Sequence, residues 1–359
     1  MKVGIVGLPN AGKSSLFNAL TRAGAEAANY PFTTIEPNVA VVPVVDDRLG
    51  RVAQTIGASS LVHDTIDFHD IAGLVRGAHE GEGLGNRFLA NIREVDAIVH
   101  VVRAHGDPNV VHPAGRVDPL ADIETVETEL LYADLEQAEG RLARVERTAR
   151  SGDKVAIAEE AWLREVVAAL QAGRPVRSVH VPDGAPDALR LLHPLTAKPV
   201  LFVANVDEGE DAVPPEIAQA ATERGAGVVA VSSRLEAELA ELADEEAAGM
   251  RGELGIAESA LDRVVRGAYE LLHLIAFFTV DTDKPAMSRH VPRGSTAYEA
   301  AGAIHTDIQR GFARAEVIGW EELVDAGSYA AARDRGTLRV EGRDYVVADG
   351  DVIHVRFTP

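Results

Sequence analysis

A complete phosphate-binding motif near the amino terminus strongly limits what this chain can fold into. Residues 1–20 read MKVGIVGLPNAGKSSLFNAL: an apolar run, then G-x-x-x-x-G-K-S at positions 7–14, then a helical pattern. Between a strand and a helix, such a loop turns backbone N–H groups towards an anion, and the helix terminus adds partial positive charge. We therefore predict that Lys13 binds the β- and γ-phosphates of a nucleoside triphosphate and that the Ser14 hydroxyl binds Mg²⁺.

Two later segments have the composition of the switch elements that accompany such a loop. Residues 29–38, NYPFTTIEPN, form a proline-containing loop in which Thr34 is expected to complete the Mg²⁺ shell. A predicted strand then ends in Asp-x-x-Gly, where Asp70 would hold Mg²⁺ through water and the Gly73 N–H would meet the γ-phosphate. The next residue, Leu74, cannot hydrogen-bond the attacking water as a glutamine does in many GTPases. Either hydrolysis is slow or another residue positions the water.

Histidines follow the next buried strand. The segment 103–119 is rich in proline, glycine and aspartate and contains His105 and His112. A loop histidine is usually a solvated side chain, and the missing glutamine makes a catalytic role the alternative.

The base-recognition segment departs from the guanine-specific pattern Asn-Lys-x-Asp. After the apolar strand at 199–204 the chain reads Asn205-Val206-Asp207-Glu208. A carboxylate that pairs with the guanine N1–H and N2 amine needs a set reach, which the longer glutamate would overshoot. An unpaired group at a base edge costs about 1–3 kcal/mol. Loss of guanine preference is therefore expected, and adenine becomes a candidate.

The rest of the chain predicts two additions to the nucleotide-binding domain. Residues 123–147 and 154–172 are amphipathic helices joined by Ser-Gly-Asp, which predicts an antiparallel hairpin inserted between two strands. This arm either packs structurally or binds a partner. From about Ala276 a mixed sheet with one main helix is expected, including a hairpin over 338–347. This last unit is a stabilising appendage or a binding module.

Composition excludes several classes. The chain lacks cysteine, which excludes disulfides and thiolate chemistry, and it has no apolar run of the ~20 residues that cross a bilayer. Without a signal-peptide pattern, we expect a cytoplasmic protein that does not enter membranes. The net charge of −21 disfavours nonspecific nucleic-acid binding. Residues 276–359 carry ten basic and thirteen acidic side chains, so this less acidic segment is the better candidate for RNA contact.

Four motifs in series resemble the YchF subfamily of Obg-related P-loop NTPases, and the resemblance covers essentially the whole chain. It implies a Ras-like P-loop domain with a mixed, mostly parallel sheet, a helical arm and a carboxyl-terminal TGS domain of β-grasp type. The corresponding boundaries are 1–122 with 195–275, then 123–194, then 276–359. The motifs are GLPNAGKSSLFNAL, NYPFTTIEPN, DIAGLVRGA and NVDE.

The resemblance also implies a function. Members prefer ATP to GTP, hydrolyse it slowly with Mg²⁺, and associate with ribosomes, here the large subunit, with ribosomal RNA contact through the TGS domain and arm. Ser14 and Thr34 would hold Mg²⁺, and His112 would compensate for the hydrophobic Leu74. Main-chain groups near Asn205 and Val206 would meet the base, with Glu208 beside them. The nucleotide-contacting loop residues would be Asn10, Ala11, Gly12, Lys13, Ser14 and Ser15.

Two other functions fit the same motifs. A guanine-specific Obg-type regulatory GTPase has the same fold, and Glu208 is the feature that argues against it. A binding protein that senses ATP and hydrolyses it incidentally is the second alternative. A small-molecule P-loop kinase is remote, because no phosphoacceptor lid or arginine-rich substrate pocket is apparent in the sequence. The sequence does not indicate an oligomeric state.

Overall fold

The computed structural model describes residues 1–27, 38–71, 84–107, 110–113, 115–254, 256 and 258–358. Thr34, Gly73 and Leu74 lie outside the described residues. The strands are β1 (Lys2–Val6), β2 (Val39–Pro43), β3 (Ser60–Val62), β4 (Thr65–Asp70), β5 (Ala97–Arg103), β6 (Val200–Asn205), β7 (Gly227–Val231), β8 (Leu274–Thr279), β9 (Pro285–Pro292), β10 (Phe312–Gly319), β11 (Arg339–Glu341) and β12 (Asp351–Phe357).

The described helices complete the framework, and two short 3₁₀ turns lie at Val176–Ser178 and Leu195–Ala197. None of the described helices has the length and apolar character needed to cross a membrane. In chain order the helices are α1 (Lys13–Ala27), α2 (Asp47–Ile56), α3 (Leu84–Arg93), α4 (Pro119–Ala149), α5 (Lys154–Gln171), α6 (Ala188–Leu192), α7 (Pro215–Arg224), α8 (Ser233–Leu239), α9 (Asp244–Glu253), α10 (Ala260–Leu271), α11 (Ala297–Ile304), α12 (Thr306–Arg310), α13 (Trp320–Ala326) and α14 (Tyr329–Asp334).

The first compact unit comprises Met1–Val42 and Asp67–Leu271 and is built on a six-stranded sheet of order β2-β4-β1-β5-β6-β7. The strands β4, β1, β5, β6 and β7 pair in parallel. Every residue of β5 is buried, as expected for a parallel strand covered on both faces. Apolar side chains from α3, α4 and α7 supply that cover. The predicted α/β P-loop architecture is confirmed.

The inserted arm is an antiparallel helical hairpin. The α4 helix begins at Pro119, four residues before the predicted start, because the Asp118 side chain accepts a hydrogen bond from the Ala121 N–H and caps it. Asp153 caps α5 in the same way, with Ala156 as the donor. Buried apolar side chains of both helices form one cluster with the segment that returns to the sheet.

The second compact unit comprises Pro43–Ile66 and Leu272–Pro359, with a sheet of order β11-β10-β12-β8-β9-β3. Pairs β10–β12 and β8–β9 are antiparallel, whereas β12–β8 and β3–β9 are parallel. Residues 43–66 belong here because the apolar face of α2 packs among Phe278, Ile318 and Leu323. The predicted boundaries placed 43–66 with the nucleotide-binding domain, so the compact units divide the chain differently.

The hairpin expected over 338–347 is wrong. Arg339–Glu341 forms β11 and pairs with β10, and Val346 makes an isolated bridge with Thr296. Asp351 explains the difference, because its carboxylate accepts hydrogen bonds from the Tyr345 hydroxyl and the Ala348 N–H. These bonds hold the return segment in a loop instead of a second strand.

Candidate nucleotide-binding site

The phosphate loop joins β1 to α1 through two glycines with positive φ angles, 150° at Gly7 and 102° at Gly12. A Cβ atom at Gly12 would clash with Nδ2 of Asn205, and one at Gly7 would clash with the carbonyl oxygen of Val101. The loop therefore needs glycine at both positions for conformation and for close approach.

Lys13 is the first residue of α1 and lies near the end of the phosphate loop. Its side chain is 8% exposed, and Nζ donates a 2.8 Å hydrogen bond to the Leu8 carbonyl oxygen. Burial lowers the pKa of Lys13, and the negative charge of Asp70 opposes that shift. A buried cation with one carbonyl acceptor is suited to bind the oxygens of a phosphate chain.

Asp70 ends β4 beside β1, with Ile5 as its neighbour in the parallel register. Burial raises the pKa of Asp70, and the Lys13 charge counteracts the change. The exposed Ser14 hydroxyl and the Asp70 carboxylate are the hard oxygen donors that Mg²⁺ prefers. In the described ranges, no cluster of three or more His, Cys, Asp or Glu side chains forms a metal site. The donors present fit an ion that takes its remaining ligands from phosphate and water.

A cavity of about 1010 Å³ opens beside the loop. It brings the phosphate loop together with the 205–208 segment, which lies almost two hundred residues away in the sequence. Ala11 is buried, and its carbonyl oxygen accepts a hydrogen bond from Asn205. The predicted residues that line this cavity are Asn10, Gly12, Lys13, Ser14, Ser15, Asn205, Val206 and Glu208.

Asn205, at the end of β6, uses both ends of its side-chain amide within the protein. Nδ2 donates to the Ala11 carbonyl at 2.9 Å, and Oδ1 accepts from the Ser233 N–H at 3.0 Å. The side chain therefore connects the phosphate loop to the start of α8 by hydrogen bonds, and Asn205 is 4% exposed. Base contact by backbone groups near Asn205 and Val206 stays a prediction.

The two acids after Val206 are also engaged. Asp207 Oδ2 accepts from the Gly106 N–H at 3.2 Å, and Glu208 pairs with Nε of Arg234 at 2.9 Å. Arg234 lines the same cavity, although sequence reasoning did not identify it. No sequence motif identifies Arg234, because folding brings it to Glu208 from a separate segment of the chain.

The loop after β5 closes another side of the cavity and is shaped by Arg103, which is 2% exposed. The Arg103 guanidinium donates to the carbonyl oxygens of Asp107 and Val110, both at 2.8 Å. Sequence reasoning missed Arg103, although an arginine that ends an apolar strand was a usable signal. Asn10 ties this loop to the phosphate loop, since its Nδ2 donates to the Val111 carbonyl at 2.9 Å.

His112 follows that tether and is buried at 7% exposure. Its Nε2 lies 2.9 Å from Oδ2 of Asp122 in the first turn of α4. Although the neighbouring Val110 lines the cavity, His112 is held towards the arm in this conformation.

Comparison with known proteins decides the family. Residues 2–132 match the family described as 50S ribosome-binding GTPase, and residues 274–358 match YchF-GTPase_C, described as a protein of unknown function. The chain is 47% identical to the ribosome-binding ATPase YchF of Bacillus subtilis and 45% identical to that of Escherichia coli O157:H7, over 99% of each chain. The chain belongs to the YchF family.

A solved YchF structure agrees. The Schizosaccharomyces pombe YchF GTPase matches with a TM-score of 0.87 at 34% identity, covering 99% of this chain and 97% of the other. The resemblance to YchF inferred from the four motifs is thereby confirmed, together with the P-loop NTPase fold. The individual roles assigned to Thr34, Gly73 and His112 stay predictions.

Proposed function

We propose that the protein is a Mg²⁺-dependent ATPase that hydrolyses ATP slowly, accepts GTP less well, and acts as a regulatory switch on the ribosome. The relatives that match over nearly the whole chain are named ribosome-binding ATPases. One observation from this chain carries the adenine preference. The three polar side chains of the 205–208 segment each have a protein partner, so guanine would have to compete with the Gly106 N–H for Asp207 and with Arg234 for Glu208.

Base recognition then falls to main-chain groups near Asn205 and Val206. Adenine presents one amino donor and one ring acceptor at its edge, which a backbone carbonyl and a backbone N–H can match. Guanine presents two adjacent donors that need a carboxylate. Leaving one of those donors unpaired costs about 1–3 kcal/mol, which corresponds to roughly 5- to 150-fold in affinity.

Hydrolysis requires a water oxygen to form a bond to the γ-phosphorus while the bond to the bridging β–γ oxygen breaks, giving ADP and inorganic phosphate. Lys13 lies where its ammonium would neutralise charge on the β- and γ-oxygens, with N–H groups of the phosphate loop around them. Bound Mg²⁺, with Ser14, Thr34 and water-mediated Asp70 as ligands, would supply further charge neutralisation.

We assign the positioning of water to His112 and one γ-phosphate contact to the Gly73 N–H. His112 is hydrogen-bonded to Asp122 in this conformation, so its imidazole would have to turn from Asp122 towards the cavity. A leucine at 74 in place of a hydrogen-bonding residue fits a low intrinsic rate.

The ribosomal partner is proposed to be the large subunit, in keeping with the family description matched by residues 2–132. The helical arm (123–194) and the TGS domain (276–359) would provide the contacts, including ribosomal RNA, in the cytoplasm. Cosedimentation with purified subunits tests this: binding to the small subunit alone would contradict it.

Calorimetric titration of the purified protein with ATP and GTP in Mg²⁺ tests the nucleotide assignment. We expect ATP to bind at least several-fold tighter. Equal or tighter GTP binding would refute the adenine preference.

A guanine-specific GTPase is the second candidate function. The matched family description and the name of the Schizosaccharomyces pombe relative both contain the word GTPase. The same titration decides between the two, because a GTPase would use Glu208 only if the Arg234 pair opened on binding. In that case GTP affinity would rise in the Arg234→Gln variant and fall in Glu208→Gln.

A further inference from the structure

The helical arm carries its charges in two separate blocks. Residues 119–139 of α4 include seven acidic and no basic side chains. Residues 141–155, which cross the turn into α5, include five basic and two acidic side chains. Basic side chains are therefore concentrated at the tip of the hairpin, in a chain whose net charge is −21.

Four of these basic side chains are exposed, and we call them the tip cluster: Arg144, Arg147, Arg150 and Lys154. Among the described residues, no carboxylate forms an ion pair with any member of the tip cluster. The two acids of the same block have other partners. Glu146 pairs with Arg164 at 2.7 Å, and Asp153 accepts a hydrogen bond from the Ala156 N–H at 2.8 Å.

Helix capping explains only part of this cluster. The carboxyl-terminal turn of a helix favours cations by about 0.3–1 kcal/mol, which accounts for Arg147 in the last turn of α4 and for Arg150 at its C-cap. Arg144 precedes that turn. Lys154 is the first residue of α5, where the helix dipole disfavours a cation. The tip cluster therefore carries more positive charge than the helix ends require.

The three arginines of the tip cluster form a row on the solvent side of α4. Arg144, Arg147 and Arg150 are three residues apart, so successive side chains are neighbours about 4.5 Å apart along the axis. The opposite side of the same turns is buried against α5. The last acid of the acidic block, Glu139, lies about 12 Å from Arg147 along the axis, beyond the ~8 Å screening length at physiological ionic strength. The row therefore presents positive charge to an anion outside the protein.

The apolar residues of the tip do not form a surface for a protein partner. Val155 and Ile157 are 57% and 48% exposed, but they are two positions apart on α5 and so point to different sides. The core of a protein interface is usually a contiguous apolar patch. Phosphate groups need only charge and N–H donors, which arginine supplies in a bidentate arrangement. The tip is therefore better suited to a nucleic-acid backbone.

The sequence of the tip also distinguishes between forms of RNA. No aromatic residue occurs between Tyr132 and Trp162, and Trp162 is 2% exposed. Proteins that bind single strands usually stack the bases on aromatic side chains, which the tip lacks. Double-stranded RNA is recognised mostly by its shape and through its phosphates and 2′-hydroxyls. A row of arginines without aromatic residues matches the second form.

We propose that the tip cluster binds the phosphate backbone of double-stranded RNA without reading its base sequence. This binding rests on the proposed contact between the arm and ribosomal RNA, and it assigns that contact to four side chains at the tip. The acidic block of α4 would repel phosphates, so the RNA would meet the end of the hairpin and not its length.

Fluorescence anisotropy of a labelled RNA duplex of about 16 base pairs tests the proposal. The full-length protein is titrated at several salt concentrations with constant Mg²⁺ and saturating ADP, so that RNA phosphates do not enter the phosphate loop. Each neutralised phosphate of a duplex adds about 0.9 to the slope of log affinity against log salt. The Arg147→Gln/Arg150→Gln variant should therefore lower this slope by about 2 and weaken binding to two duplexes of unrelated sequence by the same factor.

A matched control has the same net charge as this variant. Arg190→Gln/Arg266→Gln removes two exposed arginines that pair with Asp187 and Glu258 outside the tip, and it should keep the wild-type slope. Thermal melts establish that both variants are folded. The proposal is overturned if both variants bind the duplex equally well. It is also overturned if single-stranded RNA, poly-L-glutamate or phosphatidylserine vesicles compete as strongly as the duplex at equal charge concentration.

Cosedimentation with large ribosomal subunits separates this proposal from the ribosomal role. If the wild-type protein bound the duplex through the tip cluster but did not sediment with the subunit, only the ribosomal role would be contradicted. If the tip variant kept its duplex affinity while the wild-type protein sedimented with the subunit, only the assignment to the tip cluster would be wrong.

Discussion

Asn205 offers a sharp test of how the nucleotide site is built. The structure assigns its amide to two backbone groups, the Ala11 carbonyl and the Ser233 N–H, in a setting where the side chain is 4% exposed. In Asn205→Ala both groups lose their partner inside the protein. At about 1–3 kcal/mol for each unsatisfied buried group, the expected loss in the free energy of unfolding is about 2–6 kcal/mol.

A second variant, Asn205→Asp, changes only one of the two hydrogen-bonding atoms of the side-chain amide. Asn205→Asp keeps an oxygen that accepts from the Ser233 N–H, and it replaces the donor to the Ala11 carbonyl by a second oxygen. We therefore expect this variant to retain the bond to α8 while its carboxylate repels the phosphate loop. Its ATP affinity and its stability should both fall at least as far as those of Asn205→Ala, because a buried carboxylate would face the Ala11 carbonyl oxygen without a compensating donor.

Denaturant unfolding measures the free energy of unfolding of each variant, and calorimetric titration measures its ATP affinity. Asn18→Ala, at an exposed position on α1, is the matched control and should change neither. If Asn205→Ala weakened ATP binding but left the unfolding midpoint unchanged, Asn205 would contact the base, and its role in connecting the phosphate loop to α8 would be refuted.

Three further outcomes are expected. His112→Ala should slow single-turnover ATP hydrolysis by about 10²-fold, the lower end of general acid–base contributions, with ATP affinity unchanged; an unaltered rate would remove His112 from the mechanism. Arg234→Gln should leave stability nearly unchanged, because its pair with Glu208 is solvent-exposed, and should narrow the ATP preference in competition titrations. His100 has a folded-state pKa of about 3 against 6.5 when unfolded, so the unfolded chain binds the extra proton between these values and stability falls as pH falls through that window. His100→Phe should therefore flatten the pH dependence of unfolding between pH 4 and 6, by up to about 1.4 kcal/mol per pH unit, and equal slopes would contradict this.

Local motifs explain why the phosphate side of the site could be predicted from the sequence. Gly12, Lys13 and Ser14 act through backbone geometry and through side chains in one continuous segment, so their spacing carries the information. The base side could be predicted only in part. The degenerate Asn205–Glu208 segment is visible in the sequence, but the partners that occupy its side chains are not.

Those partners come from distant segments. Arg234 reaches Glu208 from the next helix after β7, and Gly106 reaches Asp207 from the loop after β5. A similar long-range effect places α2 in the second compact unit. Its amphipathic pattern predicts a helix with a buried face, while the identity of the surface it covers depends on strands more than two hundred residues later.

The loop after β5 contacts both the phosphate loop and the first turn of the arm, which lie far apart in the sequence. On one side Asn10 of the phosphate loop donates to the Val111 carbonyl, and on the other the adjacent His112 contacts Asp122 in the first turn of the arm. The arm helix α4 continues from that turn for 31 residues, about 46 Å at 1.5 Å per residue. If His112 leaves Asp122 to position water over a γ-phosphate, the arm loses a buried contact at its base in the same step. The position of the His112 side chain would then link the bound nucleotide to the contact at the base of the arm. This is the coupling that a regulatory switch requires.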